Sequence, residues 1–205
     1  MAKQKYDYDL IVIGSGAGGS AAATIAARDG KRVAVVEADA FGGDSPNWSD
    51  VPMKALLHAA QLYDEAKLGA RFGLRSNTMS YNYPSLQAWK ELAVKRTGAG
   101  GNRRYYEHQG ISTFQGTAHF LSPHEISVNR RHLSAAHFLI ATGSHWVPPQ
   151  VQGITDVPYL TPRTILEGLK PPKSLYIIGG GTTGLEIAQL MAIFGTKVYI
   201  ADIAA

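Results

Sequence analysis

The chain has 205 residues, of which 45% are hydrophobic and 18% charged, a composition typical of a folded α/β protein rather than a disordered or fibrous one. Its formal net charge is +4, but the basic residues are scattered and no recognised nucleic-acid motif accompanies them, so nucleic-acid binding is not expected. The chain contains no cysteine, which excludes disulfides, thiolate zinc sites and thiol redox chemistry within it.

The first forty residues predict a strand, a glycine turn, a helix and a second strand in succession. Residues 9–13 and 32–36 have the pattern of buried parallel strands, and residues 17–29 have that of a helix. Three glycines in the turn have the spacing G-x-G-x-x-G: Gly14, Gly16 and Gly19. The first permits the tight turn, the second lets backbone approach a pyrophosphate, and the third lets helix and strand pack closely. The unit therefore predicts a Rossmann-type α/β fold that binds a dinucleotide at the helix N-terminus.

Glu37 ends the second predicted strand, twenty-three residues after Gly14. A carboxylate at this position can accept hydrogen bonds from both hydroxyls of an adenosine ribose, which supports a nucleotide cofactor such as FAD. The nearly uncharged run 10–27 overlaps this unit, and its glycines argue against a signal peptide or a membrane span. We therefore expect no membrane association and a cytoplasmic location.

The middle of the chain predicts a helical insertion followed by short strands. Residues 51–68 and 83–97 have helical patterns, and the glycine-rich run 98–101 interrupts the second. From 110 to 138 the pattern changes to short strands separated by turn residues, which is typical of a small antiparallel excursion. The proline-rich stretch 147–172 then predicts a connector.

A second strand, glycine turn, helix and strand follow the connector. The strands are predicted at 174–178 and 197–201, with a helix between them that ends near Phe194. The glycines again have the G-x-G-x-x-G spacing: Gly179, Gly181 and Gly184. Asp202 closes the unit twenty-three residues after Gly179, so one unit suits FAD and the other a nicotinamide nucleotide. The acid, with no arginine in the three residues after it, favours NADH over NADPH.

Taken together, these residues resemble the pyridine nucleotide-disulfide oxidoreductases, the flavoprotein family of dihydrolipoamide dehydrogenase, glutathione reductase and mercuric reductase. Four segments carry the resemblance: 14–37, 41–54, 141–144 and the second glycine unit through Glu186. The resemblance implies a mostly parallel sheet with a helical insertion and an antiparallel excursion, and then the first βαβ of a second unit. It also implies an FAD-binding domain at 1–146, a connector at 147–172 and a truncated NAD(P)-binding domain at 173–205.

The resemblance further assigns roles to individual residues. Those implied to bind FAD are Gly14, Gly16, Gly19, Glu37, Gly43, the backbone of Ala118, Thr142 and Gly143. Those implied to bind the nicotinamide nucleotide are Gly179, Gly181, Gly184 and Asp202. Lys54 and Glu186 fall on positions that form an ion pair beside the flavin N5 in the family. There a lysine stabilises the charge of reduced flavin, and the glutamate keeps that lysine charged.

Several positions depart from the family pattern. Ser45 and Asp50 stand where the family has its two redox cysteines, and because neither can form a disulfide, this chain cannot reduce one through its own thiols. Asp44 replaces a small hydroxyl residue that faces the pyrophosphate, and its charge would repel that group unless the side chain points away or is protonated. Asp50 should disfavour anionic reduced flavin, and Thr182 replaces an aromatic residue that commonly gates the nicotinamide pocket.

The leading hypothesis is an FAD-dependent NAD(P)H oxidoreductase whose flavin passes electrons directly to a small acceptor such as oxygen or a quinone. We expect the chain to be the N-terminal part of such a protein, whose full-length form is a homodimer. The seven histidines show no zinc-type spacing and match no catalytic motif of the family, so no metal site is expected. Two alternatives are a non-catalytic nucleotide-binding relative and an engineered fragment, whose half-built second unit would expose apolar faces.

Overall fold

The computed structural model describes residues 5–74, 79–97 and 103–203, and the glycine-rich run predicted at 98–101 lies outside these ranges. The chain divides into two compact units that alternate along the sequence. Unit 1 comprises Met1–Asn47 and Arg96–His145, and unit 2 comprises Trp48–Lys95 and Trp146–Ala205. The helical insertion thus belongs to the same compact unit as the second glycine motif. The predicted domains at 1–146, 147–172 and 173–205 are defined by nucleotide binding. The two compact units do not test their boundaries, which stay a prediction.

The strands and helices follow one another as a mixed α/β chain. The strands are β1 Tyr8–Ile13, β2 Val33–Glu37, β3 Ser112–Gln115, β4 Ala118–Ser122, β5 Glu125–Val128, β6 Arg131–Ile140, β7 Ser174–Ile178 and β8 Lys197–Ala201. The α-helices are α1 Ala17–Arg28, α2 Asp44–Trp48, α3 Asp50–Leu68, α4 Tyr83–Arg96, α5 Arg103–Glu107, α6 Pro162–Ile165 and α7 Thr182–Ile193. Short 3-10 helices lie at Gly69–Phe72 and Ile154–Asp156.

Unit 1 is built on a six-stranded sheet with the order β3-β2-β1-β6-β5-β4. The strands β3, β2, β1 and β6 are parallel, whereas β4, β5 and β6 pair antiparallel. The parallel sheet and its antiparallel excursion confirm the predicted Rossmann-type fold. The bounds of β1, α1 and β2 agree with the predicted elements to within about one residue.

The strand β6 differs from the sequence prediction, which ended the short strands at 138. It is one ten-residue strand that serves both parts of the sheet. Its start pairs antiparallel with β5, where Ser134 lies opposite Glu125, and its end pairs parallel with β1, where Ile140 lies opposite Ile13. The two pairings join the excursion directly to the parallel core, so the end of β6 reaches the first glycine turn.

The core of unit 1 lies on both faces of the parallel strands. Every residue of β2 is buried, and successive side chains enter two different clusters because the side chains of a strand alternate in direction. Ala34 and Val36 pack with Ile126 of the excursion, whereas Val33 and Val35 pack on the face that contains Ala23 of α1. This double burial explains the uninterrupted apolar sequence of the strand.

Unit 2 contains the parallel pair β7–β8 and the helices α3, α4, α6 and α7. Its core joins buried residues of all four helices with the residues that directly follow α6 and α7: Met53, Leu56, Leu57, Ala60, Tyr83, Ile165, Leu166, Ile187, Leu190, Met191 and Phe194. The structure shows more order in the predicted connector than its prolines suggest. Thr161 and Thr164 form a capping box that starts α6, and the buried Nζ of Lys90 donates to the carbonyl oxygen of Leu166 at 3.0 Å.

Within the described ranges, no helix is long and apolar enough to cross a membrane. The uncharged run 10–27 is divided between β1 and α1.

Candidate nucleotide-binding loops

The first glycine turn joins β1 to α1 and is fixed at Gly14. Its φ of +100° is unfavourable for any residue with a side chain. A Cβ there would also lie 2.2 Å from the carbonyl oxygen of Ala141, the residue that directly follows β6. The N–H of Gly14 donates to the carbonyl oxygen of Val36 at 2.8 Å, so the turn is closed by the neighbouring strand. These contacts explain why glycine is required at the predicted first position.

The other two motif glycines shape the helix that follows. A Cβ on Gly19 would lie 2.0 Å from the carbonyl oxygen of Gly14, so α1 packs against the turn more closely than a side chain allows. A Cβ on Gly16, by contrast, would meet nothing within 4 Å. Among the described residues, no side chain caps the N-terminus of α1. The first N–H groups of this helix therefore face open space that an anionic group can occupy.

The carboxylate of Glu37 is bound to the turn. Its Oε2 accepts hydrogen bonds from the N–H and the hydroxyl of Ser15, at 2.8 and 2.7 Å, and its Oε1 accepts one from the N–H of Asp39 at 2.9 Å. Only 9% of Glu37 is exposed. A carboxylate offers about four acceptor positions, so these three bonds leave one for a ligand. The contact of Glu37 with ribose hydroxyls stays a prediction, and the carboxylate has room for one such hydroxyl while these three hydrogen bonds are kept.

The segment after β2 lies against the turn. The N–H of Gly42 donates to the Ser15 hydroxyl at 2.9 Å, and a Cβ on Gly43 would lie 2.6 Å from Cα of Gly16. The side chain of Asn47 holds this segment by donating to the carbonyl oxygen of Gly43 at 2.8 Å. Gly43 also has a φ of +73°. The structure therefore brings the predicted Gly43 directly against the glycine turn.

Tyr106, which the sequence analysis did not single out, also contacts this turn. Its hydroxyl donates to the carbonyl oxygen of Ser15 at 3.0 Å, and only 1% of the residue is exposed. Burial raises the pKa of the Tyr106 hydroxyl above its ordinary value of 10.0, and the group is protonated at neutral pH with or without this shift. Neither Ser15 nor Tyr106 occupies a glycine position of the motif, and Tyr106 is more than ninety residues away along the chain.

The remaining predicted residues of unit 1 lie at different distances from the turn. Thr142 follows β6, and its Cα would lie 3.0 Å from a Cβ on Gly14. Gly143 has a φ of +70°. Ala118 begins β4, where it pairs with Val128, and its binding of adenine stays a prediction. Asp44 begins α2 and is exposed, and Ser45, the next residue of this helix, is partly buried.

The second glycine turn, in unit 2, repeats the local geometry of the first. Gly179 has a φ of +112°, and its N–H donates to the carbonyl oxygen of Ala201 at 2.8 Å. A Cβ on Gly184 would lie 2.1 Å from the carbonyl oxygen of Gly179. Gly181 precedes α7, and a Cβ on it would meet nothing within 4 Å. The two βαβ units thus form the same backbone turn.

The acid of the second unit is less enclosed than the acid of the first. The carboxylate of Asp202 accepts a hydrogen bond from the N–H of Gly180, at the position that Ser15 has in the first turn. Gly180 has no hydroxyl, and Asp202 is exposed whereas Glu37 is buried. A ligand can therefore reach Asp202 more readily than Glu37.

Lys54 and Glu186 form an ion pair within unit 2. The Nζ of Lys54, on α3, contacts Oε1 of Glu186, on α7. The two side chains are 60% and 31% exposed, so water partly screens the pair. Asp50 is exposed and begins α3, one turn before Lys54. The structure thus joins the predicted pair, and its assignment to a flavin stays a prediction.

Known proteins similar to this chain belong to the family that the two glycine motifs indicate. Residues 8–205 match the family described as pyridine nucleotide-disulphide oxidoreductase. The chain is 38% identical to mercuric reductase from Streptomyces lividans over 95% of this chain and 42% of that protein. It is 31% identical to dihydrolipoyl dehydrogenase from Acholeplasma laidlawii over 96% of this chain and 60% of that protein.

A solved structure of a flavoprotein disulfide reductase is also similar to this chain. The Cu(II) complex of the HOCl-induced flavoprotein disulfide reductase RclA from Escherichia coli superposes with a TM-score of 0.78 and 27% identity, over 99% of this chain and 43% of that one. The chain therefore spans between about two fifths and three fifths of the length of these relatives. On the match of nearly all its residues, the chain belongs to the pyridine nucleotide-disulphide oxidoreductase family.

Proposed function

We propose that the chain contributes the FAD-binding unit, and the start of an NADH-binding unit, to an FAD-dependent NAD(P)H oxidoreductase that uses no disulfide of this chain. The observation that carries the proposal is the pair of glycine turns with equal backbone geometry, each with an acid bound to the residue after its first glycine. When bound, FAD would take a hydride from NAD(P)H and pass the electrons to a small acceptor such as oxygen or a quinone.

The first turn suits the adenosine diphosphate part of FAD. The uncapped N-terminus of α1 offers N–H groups and a positive dipole end to a pyrophosphate, and the open side of Gly16 leaves room for it. Glu37 retains one acceptor position for a ribose hydroxyl. The donors and the acceptor therefore fit a nucleotide whose phosphates are anionic and whose ribose carries a hydroxyl donor.

The second turn suits a nicotinamide nucleotide with a free 2′-hydroxyl. Asp202 is an exposed carboxylate at the end of β8, where it can accept a hydrogen bond from that hydroxyl. A 2′-phosphate would instead bring negative charge close to the carboxylate, and the two groups would repel each other. We therefore propose NADH as the preferred donor.

The ion pair of Lys54 and Glu186 fits the role that the family resemblance implies. A lysine ammonium can stabilise negative charge on a reduced cofactor, and the ion pair with Glu186 holds the Nζ of Lys54 in place. The positions of the family's redox cysteines hold Ser45 and Asp50, and a serine hydroxyl has no reversible redox couple. Electrons that reach the flavin must therefore leave to an acceptor outside this chain's own side chains. By the same resemblance we propose a homodimer for the complete protein.

The test is the absorbance spectrum of the purified protein, followed by anaerobic titration with NADH and with NADPH. We expect a bound flavin spectrum that NADH bleaches, that oxygen or a quinone restores, and that NADPH bleaches less efficiently. Oxidised glutathione should not restore it. Protein that binds no flavin would refute the proposal, and a bound flavin that neither nucleotide bleaches would favour a non-catalytic nucleotide-binding relative.

A further inference from the structure

We propose that Tyr106 is a positioning residue that orients the Ser15–Gly16 peptide toward the pyrophosphate of the bound nucleotide. The inference rests on the proposed binding of FAD or another adenine dinucleotide at the first turn. Tyr106 itself would not touch the ligand. It would act through the backbone of the glycine turn, from the side opposite the ligand.

Tyr106 reaches the turn from α5, through the interior of unit 1. Its ring packs against Phe41 with the ring centroids 5.6 Å apart, and both residues belong to the buried cluster that contains Val12 and Ala23. Its hydroxyl is the donor to the carbonyl oxygen of Ser15 at 3.0 Å. A ring fixed on this buried face allows the hydroxyl little freedom, so the bond has a defined direction.

This bond sets the direction of the next N–H group. A trans peptide places its C=O and its N–H on opposite sides of the chain, and the described residues contain no cis peptide bond. Because Tyr106 binds the Ser15 carbonyl on the interior side, the N–H of Gly16 points to the opposite side. A Cβ on Gly16 would meet nothing within 4 Å, so there is open space beside this peptide. The proposal places the phosphates in this space, within reach of the N–H group.

The other contacts of Ser15 do not fix this peptide. Glu37 holds the N–H and the hydroxyl of Ser15, and Gly42 donates to the same hydroxyl. Those contacts restrain the residue at its N-terminal side and at its side chain. The carbonyl oxygen has Tyr106 as its donor, and Ser15 is fully buried, so water cannot readily replace that bond. Without the hydroxyl, the peptide would gain by rotating toward another donor.

The donor bond also strengthens the proposed ligand contact. A hydrogen bond to a peptide carbonyl polarises the whole peptide group, and its N–H becomes a better donor. The Tyr106 hydroxyl is protonated across the neutral range, as any tyrosine is, and so can serve as this donor. Orientation and polarisation of the peptide both act on the phosphate contact and leave the ribose contact at Glu37 unchanged.

The experiment compares Tyr106→Phe with Tyr105→Phe, since both remove one hydroxyl from the same short helix and Tyr105 is 40% exposed. Binding of FAD, ADP and adenosine is measured by calorimetry on folded protein. We expect Tyr106→Phe to raise the Kd of FAD and of ADP by about tenfold, the effect of losing roughly one hydrogen bond. Adenosine has no phosphate, so its Kd should not change, and Tyr105→Phe should change none of the three.

Equal weakening of ADP and adenosine would show that Tyr106 acts only on the general structure, and no weakening would show that it does not act on binding. Either result overturns the inference. If the wild-type protein binds neither FAD nor ADP, the proposed function fails instead. Should Tyr106→Phe not fold, the wild-type protein labelled at glycine nitrogen tests whether the Gly16 N–H contacts the phosphates, as the proposal requires. The Gly16 amide signal should shift with ADP and not with adenosine, and an unmoved signal contradicts the proposal.

Discussion

The buried carboxylate of Glu37 holds both the backbone N–H and the hydroxyl of Ser15, at 2.8 and 2.7 Å. The acid at the end of β2 therefore stabilises the glycine turn, in addition to its proposed role as an acceptor for a ribose. In the second unit Asp202 makes the corresponding bond to Gly180, which has no side chain. We therefore expect Glu37 to contribute more to the stability of its glycine turn than Asp202 contributes to the second turn.

Glu37→Gln should destabilise the protein even in the absence of ligand. An amide has one acceptor oxygen, so if this oxygen remains with Ser15, the amide NH₂ faces the N–H of Asp39. A buried donor that faces another donor costs about 1–3 kcal/mol, and urea unfolding of ligand-free protein measures this loss. The exposed Glu107→Gln is the control and should change the free energy of unfolding by less than about 0.5 kcal/mol. Equal values for the two variants would contradict the structural role of Glu37.

Gly43→Ala should destabilise the first glycine turn by more than the cost of the left-handed backbone conformation of Gly43. Gly43 and Gly30 have nearly the same φ, +73° and +74°, but a Cβ on Gly43 would lie 2.6 Å from Cα of Gly16, whereas one on Gly30 would meet nothing within 4 Å. Gly30→Ala should cost about 1–2 kcal/mol for the left-handed conformation. Gly43→Ala should cost about 1–3 kcal/mol more because the glycine turn must move.

The two glycine variants are compared by urea unfolding and by the Kd for FAD. Only Gly43→Ala should weaken FAD binding, since Gly30 lies in the exposed turn after α1. If Gly30→Ala weakened FAD binding to the same extent, the close contact of Gly43 with Gly16 would not be the cause.

The sequence predicted the local geometry of both turns because that geometry depends on residues close together in the chain. Gly14 and Gly179 need positive φ within a tight turn, and Gly19 and Gly184 remove a side chain where helix and strand meet. Spacing alone carries this information. The acids at the strand ends follow for the same reason, since a strand and a helix of ordinary length bring them back to the first glycine.

Tyr106 could not be predicted in the same way, because its contact with Ser15 exists only once α5 has packed on the parallel strands. The length of β6 escaped prediction for a related reason. Its exposed and buried residues alternate according to two different partner strands, and the sequence does not show where one partner replaces the other. Contacts set by tertiary packing lie outside what local patterns can indicate.

Lys54→Met should slow the reduction of the flavin by NADH while changing the stability of the protein very little. The ion pair with Glu186 is partly exposed, so its loss should change the free energy of unfolding by less than about 1 kcal/mol. If the lysine stabilises charge on reduced flavin, the rate at which NADH bleaches the flavin should fall by about tenfold or more, the ratio that about 1.4 kcal/mol of transition-state stabilisation gives. Stopped-flow absorbance measures this rate.

Lys67→Met is the matched control for this variant, because it makes the same substitution on α3 at an exposed lysine whose ammonium lies over the Tyr63 ring at 4.5 Å. Its bleaching rate should equal that of the wild type. Glu186→Gln should resemble Lys54→Met in direction with a smaller effect, since the lysine remains. A wild-type rate in Lys54→Met would remove the ion pair from the proposed chemistry.

Acid should weaken unit 1 at the start of β1. The hydroxyl and then the N–H of Ser134 donate to the carboxylate of Asp7 and hold its pKa below the ordinary value of 3.8, with a smaller contribution from the charge of Arg32. Hydrogen bonds from Arg32 lower the pKa of Asp9 in the same direction. Because the folded pKa values lie below the unfolded value of 3.8, the stabilisation is complete only above about pH 5 and is lost as the pH falls through the folded values.

Urea unfolding at several pH values between neutral and 3 measures this dependence. Asp7→Asn should flatten the fall in unfolding free energy below about pH 4, and Ser134→Ala should flatten it less, since the Ser134 N–H still donates. Asp7 is exposed, so water screens its contacts and its share should stay under about 1 kcal/mol. An unchanged acid slope in Asp7→Asn would show that the contact between Asp7 and Ser134 does not couple protonation to folding.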